Sequence, residues 1–474
     1  MSKIRLAVIS DLHYYSPSLG TSGRAYELRS GSDQKALAES GAVIDTVFDR
    51  LGSSDVDAVL IPGDLTNDGE RVSHEEIREK LRLLRTKKPV YLITSTHDWC
   101  TDGNARRFSG DETLYDVPTL GAEELSSYYD EFGAETKLAE YRTGRGFYSR
   151  CYQVAPGLRL LAVNDDMDGE GGKSGYSPAH LDWMREQLRA AEAAGDKVVA
   201  MEHHMMLYHL SPLINKGQSI GDSYAAAEAL ADAGLRLIFV GHSHMQRTVR
   251  WVSPAGNPIT QINVGALCGY PAPINYLTVE DGVARHRVEF LESFLLDGDI
   301  ADGVFFKKHT TAVLDHVLDA AAGKDPEELK ARLGAHGIRV KENLFPLLRF
   351  ASRRLKNATV GGAGGWVNFL TLGRGLNKKA VAALKEEPLL PYVKTLFLCV
   401  FDGSERLKTW PKWTDDAKTV VLDVGRLPGR VVKKLPIKKE KKEKLLNTVG
   451  QIRALVTELA EPCAPDNAES ETAL

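Results

Sequence analysis

The chain of 474 residues has few cysteines and no long apolar run. Its five cysteines are widely spaced and include no Cys-x-x-Cys pair, which argues against a disulfide framework or a zinc ribbon and favours a reducing compartment. No stretch approaches the roughly 20 apolar residues that cross a bilayer. Residues 389–400 come nearest, but they contain Pro391 and Lys394. The first residues lack the apolar core and cleavage site of a signal peptide, so we expect a cytoplasmic protein without a membrane span.

The chain also lacks an excess of charge of either sign. Lys and Arg number 60 and Asp and Glu number 64, which gives a formal net charge of −4. Such a balance provides no broad electrostatic attraction to nucleic acid or to an anionic membrane. The lysine-rich segment 433–444 also contains glutamate, and we interpret it as a solvated helix face or linker. Nucleic acid is therefore not an expected partner.

The order of predicted strands and helices indicates two domains and a tail. Residues 6–10, 58–61 and 90–94 read as strands separated by amphipathic helices, which predicts parallel strands whose carboxyl ends meet at one edge of a sheet. After about residue 291, helical patterns dominate and strand patterns nearly vanish. The predicted organisation is an α/β domain over residues 1–290, a mainly helical domain over 291–461 and a disordered tail over 462–474.

Three internal segments are predicted to lack regular structure. Residues 99–147 are polar and long enough to form a functional loop or lid. Residues 164–170 are acidic but lack the pattern of a calcium-binding loop, so we expect an ordinary solvated loop. The glycine run 361–365 has no strand, lysine or helix start arranged around it, so we interpret it as a flexible connection rather than a phosphate-binding loop.

Potential metal ligands follow five of the predicted strands. Each has an ordinary explanation alone, as a turn cap or a locally satisfied histidine, but chance does not explain all five at one converging edge. A carboxylate and imidazole set without thiolate suits Mn, Fe or Zn better than Ca²⁺. Six or seven ligands exceed one tetrahedral shell, so we expect two ions about 3.5–4 Å apart, bridged by a carboxylate. The candidates are Asp11 with His13, Asp64, Thr96 with His97, His203 with His204, and His242 with His244.

The spacing inside two of these groups supports ligation. Asp11 and His13 are two residues apart, as are His242 and His244. In an extended segment, residues i and i+2 point to the same side. We therefore expect both members of each pair to face one site.

The order of these motifs resembles that of the calcineurin-like metallophosphoesterases. D-x-H, G-D, a turn containing His-Asp, H-H and G-H-x-H follow one another in residues 4 to about 290. The resemblance implies a four-layer αββα sandwich and a binuclear centre of two divalent or mixed-valence ions. It implies that His97 protonates or stabilises the leaving oxygen. The implied ligands are Asp11, His13 and His244 for the first ion, His203 and His242 for the second, and Asp64 as the bridge.

The sequence departs from the family pattern in two places. Where the family usually has G-N-H-D/E, this chain has Ser95-Thr96-His97-Asp98, so a threonine hydroxyl replaces the amide ligand. Thr96 is the shorter and weaker ligand, and we expect looser binding of the second ion. The usual H-H-P is His203-His204-Met205, and motif alignment assigns the first histidine as the ligand.

The leading hypothesis is hydrolysis of a phosphomonoester or phosphodiester of a small molecule by metal-activated hydroxide. One alternative is a metal-binding scaffold or regulatory module without hydrolase activity, which the altered Thr96 position would mark. Another is a nuclease, which would need a basic path to the site that the charge distribution does not supply. The helical C-terminal region is expected to cover the site or to form a homo-oligomer contact.

Overall fold

The computed structural model describes residues 3–99, 103–169, 172–302, 304–323, 325–334, 340–371, 375–402, 415–434, 438–460 and 468–474. The chain divides into two compact units, of which the first comprises residues 1–209, 218–309 and 465–474 and the second residues 210–217 and 310–464. The domain boundary at residue 290 stays a prediction. Within the described ranges, no helix is both long and apolar enough to cross a membrane.

The elements are numbered here in chain order. The strands are β1 Ile4–Val8, β2 Ala58–Pro62, β3 Val90–Ile93, β4 Arg107–Ser109, β5 Glu112–Leu114, β6 Lys137–Arg142, β7 Tyr148–Ala155, β8 Leu158–Ala162, β9 Lys197–Glu202, β10 Leu237–Val240, β11 Arg247–Val252, β12 Pro258–Asn263, β13 Pro273–Glu280, β14 Val283–Phe290, β15 Ser293–Leu296, β16 Asp299–Asp302 and β17 Glu469–Ala473. The α-helices are α1 Arg24–Ser30, α2 Ser40–Ser53, α3 Arg71–Arg85, α4 Ala122–Tyr128, α5 Pro178–Ala194, α6 Pro212–Asn215, α7 Ser223–Asp232, α8 Val304–Ala322, α9 Pro326–Gly334, α10 Phe345–Lys356, α11 Val360–Leu370, α12 Lys378–Ala383, α13 Leu389–Phe401, α14 Asp415–Lys434 and α15 Lys439–Ala460.

Two mixed sheets form the first unit. The first has the order β17-β14-β13-β1-β2-β3, in which β1, β2 and β3 are parallel. The second has the order β11-β12-β10-β9-β8-β7-β6, in which β12, β10, β9 and β8 are parallel. The parallel strands are nearly continuous runs of buried apolar residues, as expected for strands covered on both faces.

The two sheets pack face to face through one shared core. Leu6, Val8 and Leu60 of the first sheet belong to the same buried cluster as Met201 and Phe239 of the second. On the outer side of the second sheet, α5 and α7 contact its strands, and α2 and α3 pack together beside the first sheet, where α3 contacts β3. The predicted four-layer αββα sandwich is confirmed, with the helical segments after residue 304 added to it.

The hairpin between β13 and β14 follows the turn chemistry of its sequence. The two strands pair from Glu280 opposite Val283, which leaves a loop of two residues. Asp281 has a φ angle of 51° and Gly282 one of 77°. Two-residue hairpin loops favour left-handed residues at both positions, and Asp-Gly adopts them readily. Asp281 and Gly282 therefore form the hairpin loop that their residue types favour.

The prediction of a disordered tail is wrong for the described part of that segment. Residues 469–473 form β17, which pairs with β14 along the open edge of the first sheet. Leu474 packs against the core shared by the sheets, and its carbonyl oxygen accepts a hydrogen bond from Lys197 Nζ at 2.5 Å. Composition predicts disorder because the segment is small and polar, but backbone hydrogen bonds to an exposed edge strand stabilise it without apolar side chains. Residues 462–467 lie outside the described residues.

Two further segments that the sequence predicts to be irregular contain helices or strands. Residues 103–147 include the β4–β5 hairpin, α4 and β6, which is the edge strand of the second sheet. The glycine run lies inside α11, where the hydroxyl of Thr359 accepts a hydrogen bond from the Gly362 N–H as the N-cap. An added Cβ at Gly364 would lie 2.7 Å from Val381. The absence of this Cβ allows α11 to contact α12 closely, so the glycine run does not form the predicted flexible connection.

A buried histidine in the first sheet predicts acid sensitivity. His286 on β14 is 3% exposed, its Nε2 lies 2.8 Å from Asn275 Oδ1, and burial lowers its pKa to about 3. An unfolded histidine takes up its proton near pH 6.5. The unfolded state therefore binds more protons below this pH, and the free energy of unfolding decreases as the pH falls from about 6.5 towards 3.

We expect His286→Gln to remove this contribution. Between pH 7.5 and pH 5, the wild type should lose on the order of 2 kcal/mol more of its unfolding free energy than the variant. Urea unfolding of both proteins at the two pH values measures the difference. Equal losses in the two proteins would contradict the assignment.

Candidate metal centre

The ligand-bearing turns come from both sheets. Those after β1, β2 and β3 extend from the first sheet, and those after β9 and β10 from the second. Backbone hydrogen bonds join neighbouring turns: the Asp11 N–H donates to Gly63 O at 3.3 Å and the His13 N–H to Asp64 O at 3.0 Å. In the second sheet, the Gly241 N–H after β10 donates to His203 O after β9 at 3.0 Å. The side chains are therefore held by paired backbone at the edge where the two sheets meet.

Five candidate ligands have a left-handed backbone. Asp and His tolerate this region better than most residues, but it costs energy outside glycine. The expectation that both pairs lie in extended segments is wrong, because all four residues have left-handed φ angles. The φ angles are 52° for Asp11, 41° for His13, 51° for Asp64, 63° for His242 and 57° for His244.

Two glycines permit the close approach of these turns. An added Cβ at Gly241 would lie 2.3 Å from Ser10 Oγ and 2.6 Å from Asp11 Oδ2. At Gly63, which has a φ of 95°, it would lie 2.6 Å from Nδ1 of His203. The glycines of the G-D and G-H motifs are therefore required sterically, since backbone of one turn contacts ligand side chains of another.

A first set of four ligand atoms belongs to Asp11, His13, Asp64 and His244, and all lie within 4.8 Å of one another. The Nε2 atoms of His13 and His244 are 2.9 Å apart. Oδ1 of Asp11 lies 3.3 Å from Nε2 of His244 and 3.8 Å from Nε2 of His13. Three of the four residues are buried, so the set is a largely enclosed cluster of two carboxylates and two imidazoles.

A second set consists of Asp64, His203 and His242. Nε2 of His203 lies 3.2 Å from Oδ2 of Asp64. Neither atom makes a well-oriented hydrogen bond within the described part of the chain, although both are buried. Buried polar atoms are nearly always paired, so these two atoms fit a metal ion. Asp64 belongs to both sets, which is the position expected of a bridging carboxylate.

Hydrogen bonds fix the ring nitrogens that face the two sets. Nδ1 of His203 donates to the Pro62 carbonyl at 2.7 Å, which leaves Nε2 directed at Asp64. The Gln34 side-chain amide lies 2.6 Å from Nδ1 of His244. An amide oxygen in this position would accept the ring proton and again leave Nε2 free. Burial lowers the pKa of His13 and of His242 well below the usual value, which keeps both rings neutral, as ligands must be.

Thr96 lies in the turn after β3, half-buried. On one side of it the Ser95 N–H donates to Asp98 Oδ2 at 2.9 Å, and on the other the His97 N–H donates to Asp64 Oδ1 at 3.3 Å. The turn that carries Thr96 is therefore attached to the carboxylate shared by the two sets. A role for its hydroxyl as a ligand stays a proposal.

His97 faces Asp68, a residue that the motifs did not indicate. Nδ1 of His97 lies 3.3 Å from Oδ1 of Asp68 and makes a short contact with the Asn67 carbonyl. Burial and Lys35 lower the pKa of His97, but Asp64 and Asp68 raise it by a larger amount. The pKa of His97 therefore lies above the usual value. The ring is 30% exposed, and its centroid is 4.9 Å from that of His13. A protonated imidazole at the open side of the centre can donate a proton.

A third set of candidate ligands lies next to the second. Asp165, Asp166 and His204 are all buried, with Oδ1 of Asp165 3.1 Å from Nδ1 of His204. The prediction of a solvated loop over residues 164–170 is therefore wrong for its start. Oδ1 of Asp166 accepts from Ser95 Oγ at 3.3 Å and its Oδ2 from Trp99 Nε1 at 3.1 Å. Burial and Asp165 together raise the pKa of Asp166 to about 7.

Sequence reasoning gave no ligand or positioning role to the five residues that follow, although the family resemblance implies a residue near Asp165 beside the active site that does not bind metal. Asp165 and Asp166 follow β8 as the other ligands follow their strands, so the strand-end argument could have found them. Asp68 lies in the turn that begins with the G-D motif, and that proximity was the available signal. Gln34 and Lys35 precede α2 in a turn whose sequence carries no comparable signal.

A two-sheet α/β sandwich with adjoining Asp and His sets at its strand ends defines the class of metal-dependent phosphoesterases. The family model described as calcineurin-like phosphoesterase matches residues 4–246, slightly more than half of the chain. The chain belongs to the calcineurin-like phosphoesterase family and is accordingly a hydrolase that acts on phosphoester bonds. No curated protein sequence matches it.

Solved structures similar to the chain share little of its sequence. A dimetal phosphatase from Danio rerio is 13% identical, with a TM-score of 0.41, over 60% of this chain and 96% of that one. A purple acid phosphatase from yellow lupin (Lupinus luteus) seeds is 12% identical, with a TM-score of 0.37, over 64% of this chain and 53% of that one. A 5'-nucleotidase from Candida albicans is 13% identical, with a TM-score of 0.29, over 76% of this chain and 58% of that one.

The steric requirement at Gly241 gives a direct test of the site. We expect Gly241→Ala to displace the Asp11 carboxylate and to weaken Mn²⁺ binding by about tenfold to a hundredfold. Calorimetric titration of the metal-stripped protein measures the affinity. Gly217→Ala is the matched control, because an added Cβ there meets no heavy atom within 4 Å. A folded Gly241→Ala protein with the wild-type Mn²⁺ affinity would refute the argument.

Proposed function

We propose that the chain hydrolyses a phosphomonoester or phosphodiester of a small molecule at a binuclear metal centre, by metal-activated hydroxide. The observation that carries the proposal is the Asp64 carboxylate, which is common to two adjoining sets of ligand atoms. Asp11, His13 and His244 would hold one ion, and His203, His242 and Thr96 the other. The donor set suits Mn, Fe or Zn. We place the reaction in the cytoplasm.

The protein provides a rigid ligand arrangement before any substrate arrives. Asp11 is anchored by its own backbone to Gly63, and its carboxylate accepts a hydrogen bond from the His242 N–H at 3.1 Å. One carboxylate therefore links the turns that follow β1 and β10. When bound, two divalent ions supply charge neutralisation at the phosphoryl oxygens and an activated water. Preorganised charges of this kind account for most of the rate enhancement in phosphoryl transfer.

His97 is proposed to protonate the leaving oxygen. Its elevated pKa keeps a fraction of the ring charged at neutral pH, and Asp68 holds Nδ1 so that the opposite nitrogen is available. Asp98 does not share this role. Its Oδ1 accepts from the Thr66 N–H at 2.9 Å and its Oδ2 from the Ser95 N–H, so it joins the turns after β2 and β3.

Metal removal and replacement of the shared carboxylate test the proposal. Hydrolysis of a nitrophenyl phosphate monoester and a bis-nitrophenyl diester should disappear on metal stripping and return with Mn²⁺, Fe²⁺ or Zn²⁺. Asp64→Asn should reduce kcat by at least a hundredfold and lower the number of bound ions, because a neutral amide bridges two cations poorly. Asp182→Asn, on the exposed side of α5, is the control and should behave as wild type. If the Asp64→Asn protein, with its metal content measured, hydrolysed the esters as fast as wild type, Asp64 would not be the bridging carboxylate.

The acid role of His97 predicts a dependence on the leaving group. We expect His97→Asn to reduce kcat by about 10²–10⁴-fold for phenyl phosphate and far less for nitrophenyl phosphate, whose leaving group needs no proton. Asp68→Asn should show the same trend more weakly, because it only positions the ring. Steady-state kinetics on the two esters provides the test. Equal losses on both would indicate that His97 does not act as the acid.

A further inference from the structure

Residues 343–385, called the basic segment below, differ in charge from the chain as a whole. They contain eight lysines and arginines and no aspartate or glutamate, whereas the whole chain has a formal net charge of −4. The basic segment includes α10, α11 and α12, all in the second unit. A local excess of positive charge attracts anionic partners even when the whole molecule is slightly acidic.

Acidic side chains near the basic segment neutralise only part of its charge. The ion pairs of these acids are Lys356–Asp319, Lys385–Glu386, Lys330–Glu327, Lys330–Glu342, Arg332–Glu328 and Arg426–Asp423, so most of the acids pair with bases outside the segment. Five bases of the segment form no ion pair with any described residue: Arg349, Arg353, Arg354, Lys378 and Lys379. The positive charge therefore remains after the neighbouring carboxylates are counted.

The three arginines of α10 also line a cavity of about 680 Å³, which lies against α8 and α9. The acid among its described lining residues is Asp325, whose Oδ1 accepts a hydrogen bond from the Glu327 N–H at 2.9 Å. Nε of Arg349 is buried and has no hydrogen-bond partner within the described ranges. Guanidinium groups in excess over carboxylates suit the binding of phosphate oxygens.

Exposed aromatic side chains are concentrated on the same two helices. Of the described phenylalanines and tryptophans, the exposed ones are Phe350 of α10 and Trp366 and Phe369 of α11. Trp366 is 63% exposed and Phe369 is 77% exposed, and residues three apart lie on one face of a helix. The opposite face of α11 packs on α12, where Gly364 approaches Val381. An aromatic face of α11 is therefore left open by the described part of the chain.

The two helices differ in how charge and apolar surface are combined. Leu347, Phe350 and Arg354 lie along the exposed face of α10, and the Arg354 guanidinium lies 5.3 Å from the centre of the Phe350 ring. By contrast, α11 lies within residues 357–373, seventeen residues that include no Asp, Glu, Lys or Arg. An uncharged helix with exposed aromatics, next to a basic amphipathic helix, is typical of a segment that enters the interface of a membrane.

We propose that α10 and α11 attach the protein to the surface of a membrane rich in anionic lipids, with Trp366 and Phe369 in the acyl boundary and the arginines of α10 on headgroup phosphates. The proposal goes beyond the proposed function. With 11 residues, α11 has about half the length that crosses a bilayer, so the attachment is interfacial. A nucleic-acid site would combine stacking aromatics with cations along one groove, but the aromatics of α11 lie in an uncharged stretch.

Vesicle sedimentation of the full chain tests the aromatic face. Wild type should partition at least about tenfold more strongly into phosphatidylcholine vesicles with about 30% phosphatidylglycerol than into phosphatidylcholine alone. The double variant Trp366→Ser, Phe369→Ser should lose about tenfold to a hundredfold of this partition, because less apolar surface is buried. Tyr115→Ser with Leu295→Ser is the matched control, since it removes two exposed apolar side chains from the first unit. Circular dichroism and turnover of nitrophenyl phosphate verify that each variant is folded.

The arginines are tested separately from the aromatic side chains. Arg353→Gln with Arg354→Gln should weaken binding to the anionic vesicles by about tenfold to a hundredfold and leave the weak binding to neutral vesicles unchanged. Lys87→Gln with Arg185→Gln, two exposed bases of the first unit, removes the same charge and should bind as wild type does. Raising the salt concentration should weaken the binding of wild type more than that of the arginine variant.

Equal partition of wild type into neutral and anionic vesicles would overturn the proposal, and so would no partition into either. In the second case, a dimer that dissociates in the aromatic variant would identify a contact between two copies of the chain. Arginine-dependent binding of a single-stranded oligonucleotide without vesicle binding would identify nucleic acid as the partner instead. Neither result would bear on the hydrolysis of small phosphoesters, which is measured in solution.

Discussion

The buried carboxylate of Asp64 is the constraint on which the rest of the structure depends. It is 1% exposed, and an unpaired charge in such a place costs several kcal/mol or more. Burial raises the pKa of Asp64, but His203 and His97 lower it by a larger amount. The carboxylate therefore stays ionised. The surrounding histidines compensate it without giving Oδ2 a well-oriented hydrogen bond within the described residues. The proposed cations at both adjoining sets would satisfy this atom, around which candidate ligands from five strand ends are gathered.

The side chains that compensate this charge require backbone conformations that regular helices and strands do not provide. The turns after β1, β2 and β10 place Asp11, Asp64 and His242 in the left-handed region, and each such residue stores strain on the order of 1 kcal/mol. The neighbouring glycines remove Cβ atoms that would collide with ligands of the opposite sheet. Paired backbone between turns and a core shared by two sheets hold this arrangement. The fixed spacing of the ligand motifs therefore reflects a required backbone conformation as well as a set of donor atoms.

Sequence patterns could predict the parallel strands and the candidate ligand positions at their ends, because both depend on local signals: apolar runs that end in Asp or His, and glycines next to them. The four-layer sandwich followed from the family resemblance. Sequence patterns could not predict β17, since a polar segment becomes a strand only where β14 leaves an edge open nearly 200 residues away in the chain. Nor could they predict α11, where close contact with Val381 outweighs the low helix propensity of glycine. Asp68 comes from a segment without periodicity, close to the G-D motif in sequence, and the fold shows that it faces His97.

The candidate metal ligands and the residues that contact them come from different parts of the fold. The candidate ligands follow core strands, where any shift would disturb the packing of both sheets and the left-handed backbone. Gln34, which contacts His244, and Arg106, which contacts Asp68, instead belong to the segments before α2 and before β4, outside the two large sheets. Substitution in these segments can therefore change the surroundings of the candidate centre without moving Asp64 or the backbone that holds it, because the core strands and the peripheral segments are packed independently.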